Sequence, residues 1–224
     1  MRPFHWVQAT RAWALFVFVA GVVAREARAD DSQFQLSFSM LATNLSYGDT
    51  PLAFKGGEAG ELPGVSQMVE PFESTPFSGV RAYGLRVEER CVSHHLRLGL
   101  GFQIALPRWS RGDVTGTYPI AGVDRLVSAD ALSSKDVRLS VGADLPLGPV
   151  HLYGDLVGTL RFISTTMRVD GAAATFAATT FGYAAELGAS LDLGQDVRLA
   201  LQAERGLVGE QLWGAALSVI FAFD

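Results

Sequence analysis

Apolar residues recur at every second position through much of the chain. Between residues 95 and 106, Leu96, Leu98, Leu100, Phe102, Ile104 and Leu106 alternate with Arg97, Gly99, Gly101, Gln103 and Ala105. A period of two marks a β-strand whose two faces meet different surroundings. The same alternation runs through 33–47, 79–89, 136–145, 150–164, 181–193, 197–205 and 212–223. Eight strands are predicted.

The connections between these segments alternate in length. Long ones cover 48–78 and 107–135, and shorter ones 169–180 and 206–211. Between them fall tight turns at 90–93, 146–149 and 194–196, mostly built from the Gly, Pro and Asp that turns favour. Long loops at one end and tight turns at the other predict an all-β, eight-stranded antiparallel up-and-down barrel.

The polar positions decide which face is inside. They carry Arg86, Arg97, Arg138, Arg161 and Arg198, with Glu88, Asp144, Asp155, Glu186 and Glu204, interleaved with glycine, alanine and serine. A water-facing surface would favour lysine, yet Lys55 and Lys135 are the only lysines in the chain. It would also avoid glycine, which weakens a strand interior by roughly 0.5–1 kcal/mol. Inside a narrow eight-stranded barrel, small residues make room for long arginines. Arginine pairs with carboxylates through a rigid fork. These ten residues are expected to form a structural charge network in the lumen.

The apolar positions then face lipid, and the fold is a transmembrane β-barrel. Charge on that face is confined to strand ends, at Arg81, Glu89, Arg168 and Arg205. Arg or Lys at the bilayer midplane costs about 2–4 kcal/mol. Most segments reach the ~9–11 residues that a tilted strand needs to cross. Phe34, Tyr47, Tyr83, Phe162, Phe181, Trp213, Phe221 and Phe223 lie near strand ends, as interfacial girdles require.

The N-terminus reads as an export signal. Arg2 and Arg11 flank an apolar run at 12–24, and Ala27 and Ala29 give a small-x-small cleavage pattern. The expected organisation is a cleaved signal peptide at 1–29 and a barrel domain at 30–224 in the bacterial outer membrane. After Ala29 the chain keeps 14 of its 18 basic and 22 of its 23 acidic residues, a formal charge of −8. That balance argues against nucleic acid. Cys91 is the single cysteine, so no internal disulfide forms.

No reaction stands out. Cys91, His94 and His95 lie close together beside Ser93 and invite a nucleophilic or metal reading. A strand would send His94 and His95 to opposite faces, and the plain reading is a turn entering a strand. The glycine-rich 55–60 stretch lacks the Lys-Ser/Thr ending of a phosphate loop. The first loop carries Asp49, Glu58, Glu61, Glu70 and Glu73 against Lys55, and is expected to be a solvated, mobile segment without a ligand. No enzyme activity, cofactor or metal is expected.

The strand number, loop order and alternation resemble the small outer-membrane barrels of the OmpA/OmpX-like group over residues 33–224. The last strand, QLWGAALSVIFAFD, is similar to that group's assembly signal, with Phe223 followed by Asp224. The His-x-Ser motif of lipid A deacylases is missing, since His151 is followed by Leu152 and Tyr153. The resemblance implies a non-enzymatic, monomeric outer-membrane protein, structural or surface-interacting through its long loops. Its implied partners are membrane lipid, lipopolysaccharide and the barrel-assembly machinery, the last through the C-terminal strand. The alternatives are a narrow porin-like passage and a soluble periplasmic barrel binding lipid in an apolar cavity.

Overall fold

The computed structural model describes residues 32–46, 50–71, 80–107, 115–209 and 211–223. The expected signal segment lies outside them, as do Tyr47, Asp49, Glu73 and Asp224. The described strands are β1 (Ser32–Leu45), β2 (Pro51–Gly56), β3 (Val69–Pro71), β4 (Val80–Ser93), β5 (Leu96–Pro107), β6 (Thr115–Ile120), β7 (Val123–Leu147), β8 (Val150–Val169), β9 (Ala172–Asp192), β10 (Val197–Val208) and β11 (Gln211–Phe223). Two single-turn 3₁₀ helices, Glu58–Glu61 and Val65–Gln67, lie between β2 and β3.

Eight strands close a ring in the order β1–β4–β5–β7–β8–β9–β10–β11, each antiparallel to its neighbours. The first and last strands complete it, with Phe34 opposite Phe223 and Met40 opposite Leu217. These eight are the segments predicted from the alternation, and the fold class is the expected eight-stranded up-and-down barrel. Every ring strand turns a large apolar residue outward: Met40, Leu85, Leu100, Leu145, Leu156, Leu187, Leu201 and Leu217 are all exposed. Met40 is 70% exposed, whereas Arg138 on the inner face is 1% exposed. A soluble barrel holding lipid in an apolar cavity would need the opposite arrangement.

The connections depart from expectation in four places. The 90–93 turn is part of β4, which keeps its alternation through Ser93, and the chain reverses at His94, whose φ is +56°. His94 and His95 are therefore turn residues and do not point to opposite faces of a strand. The 169–180 connection is almost all strand. Asp170 and Gly171 form a two-residue turn with φ of +50° and +88°, the primed geometry that suits hairpin twist. Most of 107–135 is strand too: β6 and β7 form a hairpin around Ala121 and Gly122. A bulge between Ala129 and Ala131 shifts the phase of β7. Buried positions run 125, 127, 129 before it and 132, 134, 136 after it, so no single period of two spans the strand.

The first long loop is the fourth departure. Its β2 adds to β9, with Phe54 opposite Phe176 and their rings edge to face at 5.8 Å. Glu58 and Glu61 stay exposed, but Leu52, Ala59 and Val65 are buried. They join Leu45, Ile163 and Met167 in an apolar core at the loop end of the barrel. Among the described residues this segment is a folded lid.

Candidate functional site

The interior below that lid is charged. Pairing register sets what can meet there. Arg86, Gln103, Asp136 and Arg161 are successive partners on β4, β5, β7 and β8, all facing inward. Asp136 is fully buried and receives Arg161 as a two-pronged fork, Nε to Oδ1 at 3.0 Å and Nη2 to Oδ2 at 2.8 Å. Gln103 donates to the same carboxylate at 3.1 Å, and Ser134 at 2.6 Å.

The middle of the lumen holds three arginines and three glutamates. Glu186 and Glu204 are direct register partners on β9 and β10, an arrangement that repels unless cations intervene. Two arginines from across the lumen do so. Arg86 donates to Glu186 at 2.8 Å and to Glu204 at 2.8 Å. Arg138 grips Glu204 with both Nη atoms at 2.9 Å and lies 3.3 Å from Glu186. Arg90 donates to Glu88 at 2.7 Å and reaches Glu186 at 3.3 Å. Ser140 donates to Glu88 at 2.9 Å. The Gln202 amide donates to Glu186 at 3.0 Å and accepts from Arg86 at 3.1 Å.

A third group lies toward the tight turns. Arg97 sits 3.5 Å from Asp144 and 3.4 Å from Asp155, its guanidinium stacked 3.8 Å above the Tyr153 ring. His151 Nδ1 is 2.9 Å from Asp144 and its Nε2 is 3.5 Å from Asp192. Arg198 Nε is 2.7 Å from Asp192.

Of the ten residues singled out in the sequence, Arg86, Glu88, Arg138, Glu186 and Glu204 meet in the middle cluster. Arg97, Asp144 and Asp155 meet near the turns. Arg161 and Arg198 pair instead with Asp136 and Asp192, which were not singled out. Arg90 was also missed, because a turn was placed over it, yet it continues the alternation of Arg86 and Glu88. Asp136 was legible as well, two residues from Arg138 on the same face.

Glycine makes this crowding possible. A Cβ on Gly99 would collide with Ser140 Oγ and Glu88 Oε1, and one on Gly188 would enter the Tyr153 ring. A void of about 10 Å³ borders Arg86, Glu186 and Glu204, close to the volume of one water.

The residues considered for chemistry are spread out. Cys91 is on the outward face, as its alternation with Arg90 and Val92 requires. Ser93 Oγ and His94 Nδ1 are 3.3 Å apart at the exposed turn, and His95 Nδ1 contacts the Asp144 carbonyl at 3.1 Å. Among the described residues no three His, Cys, Asp or Glu side chains are grouped to hold a metal.

No family model and no curated protein matches the chain. Solved structures do. Neisserial surface protein A is 10% identical, covering 86% of this chain and 98% of its own, with a TM-score of 0.48. Ail, the attachment invasion locus protein of Yersinia pestis, is 9% identical over 86% and 99%, with a TM-score of 0.49. The N-terminal β-barrel domain of Pseudomonas aeruginosa OprF is 12% identical over 86% and 98%, with a TM-score of 0.36. The solved structures that the chain resembles are small outer-membrane β-barrel proteins.

Proposed function

We propose that the protein is a non-enzymatic outer-membrane barrel that acts at the cell surface through its loop end. Residues 1–29 would direct export and be removed, leaving 30–224 as the barrel. The observation that carries this reading is the belt of exposed Leu, Met, Phe and Val on all eight ring strands. In water such a belt has no counterpart on a stable monomer. In a bilayer it is the expected outer surface. Tyr83, Phe162 and Trp213 at one rim and Phe34, Phe221 and Phe223 at the other fit the two interfaces.

The Arg/carboxylate network then serves as a structural plug. Its alternating charges tie β4 and β7 to β9 and β10 across the lumen. A porin-like passage fits less well, because a solute would have to part these pairs. The barrel would float as a monomer among phospholipid and lipopolysaccharide, with β11 as the strand read by the assembly machinery. The surface contacts would come from 48–78 and 107–135.

Two measurements test the reading. The outer-membrane fraction, run unboiled beside boiled on a detergent gel, is expected to show a mobility shift. A protein that stays in the soluble periplasmic fraction without a shift overturns the membrane placement. Planar-bilayer recording of the purified barrel is expected to show little conductance, and large stable channels overturn the plug.

A further inference from the structure

A groove of about 710 Å³ crosses the outer wall of the barrel. Its axis follows one register row: Glu89, Leu100, Leu139, Gly158 and Tyr183 are successive partners on β4, β5, β7, β8 and β9. All five line the groove. Gly158 has no side chain, so the wall dips between Leu139 and Tyr183. Four strand spacings separate Glu89 from Tyr183, a span of roughly 19 Å. The row is oblique. Glu89 lies close to the turn at His94, whereas Tyr183 lies near the middle of β9.

Glu89 is the anomaly in this groove. It is exposed on the apolar face and has no ion pair or hydrogen bond among the described residues. Across the lumen wall, Glu88 is held by Arg90. A carboxylate at the margin of hydrocarbon is costly without a cation. At the turn end, which short periplasmic turns place toward the inner leaflet, the cation that a bilayer supplies is a lipid ammonium group.

We propose that this groove is a binding site for one inner-leaflet phospholipid with an ammonium headgroup, of the phosphatidylethanolamine class. The ammonium group donates to Glu89, and one acyl chain lies over Leu100, Leu139 and Gly158 toward Tyr183. A phosphatidylglycerol headgroup carries the same phosphate but offers no cation to the carboxylate. The proposal rests on the outer-membrane reading.

The test uses the full barrel in nanodiscs of equal phosphatidylethanolamine and phosphatidylglycerol, with retained lipids read by native mass spectrometry. The expected result is one retained phosphatidylethanolamine, favoured roughly tenfold, as one charge-assisted hydrogen bond supplies. Glu89→Gln is expected to bring that ratio to about one. Gly158→Leu is expected to fill the dip and reduce retention of both lipids. Both variants should keep the gel shift on boiling. Equal retention of the two lipids by the unmodified barrel overturns the proposal. An unchanged preference in Glu89→Gln, or a lipid-free barrel dimer seated groove to groove, does so too. A barrel without a gel shift, soluble without detergent, overturns instead the membrane reading beneath it.

Discussion

Glu204 receives both Nη atoms of Arg138, and the two side chains come from strands on different sides of the ring. Exchanging such a pair for well-packed apolar residues is often neutral, but removing one partner strands the other charge. Arg138→Met is therefore expected to destabilise the barrel by about 3–5 kcal/mol. The midpoint of urea unfolding in detergent micelles reads this, and an unchanged midpoint would show that Arg86 alone satisfies both glutamates. Gly99→Val drives a side chain into Ser140 and Glu88, and a loss of about 1–3 kcal/mol is expected by the same assay. At this scale the inward charges were legible, since each shares its strand's polar phase. Arg90 was hidden by a turn assignment, and Asp136 sits at the first position of its segment, where face assignment is weakest.

The hairpins at the loop end show how elements outgrow their sequence pattern. Beyond the apolar belt, the outer faces of β7 and β8 turn polar, and Arg168 pairs with Asp130 at 2.8 Å. At the tip, the Asp170 carboxylate accepts from Arg125 at 2.8 Å and from the Leu126 N–H at 2.9 Å. The Arg125 hydrogen bond, with the backbone bond behind it, holds Asp170 below the usual carboxylate range. A depressed folded value means that this tie is complete above the unfolded carboxylate range. It is lost as pH falls through the lower folded value. Hydrogen exchange at the β8–β9 tip is expected to accelerate as the solution is acidified below ~4, the ordinary carboxylate value. Asp170→Asn keeps the left-handed turn geometry and should remove that pH dependence. An acid step that persists in the variant would assign the effect to another group. The alternation failed here for a structural reason. The bulge at Ala129–Ala131 changes phase within one strand, and the alanine- and threonine-rich start of β9 gives little contrast between faces.

For the molecule as a whole, the lid packs onto the loop end of the ring but takes no part in the strand pairings that close it. Leu52 is buried in the core that roofs the lumen, and β2 hangs on β9 by a short ladder. Leu52→Ala is expected to weaken the lid by about 2–5 kcal/mol. Protease cleavage within 50–71 should quicken while the gel shift on boiling is retained. A lost gel shift would mean that the lid is part of the barrel's own closure.

The sequence by itself determined the eight ring strands, their antiparallel order and the polarity of both faces. Each of these follows from a local rule: a strand alternates, and one side of its pleat is apolar and faces outward while the other is polar and faces a narrow lumen. Only the tertiary structure decided which charges meet. Arg86 reaches Glu186 and Glu204 because closure of the ring and the stagger of its strands bring β4 across from β9 and β10. The lid was likewise decided at that level. Its apolar residues carry no period, and their partners on β8 and β9 lie about a hundred residues away in the chain. A contact of that reach leaves no mark in any local pattern.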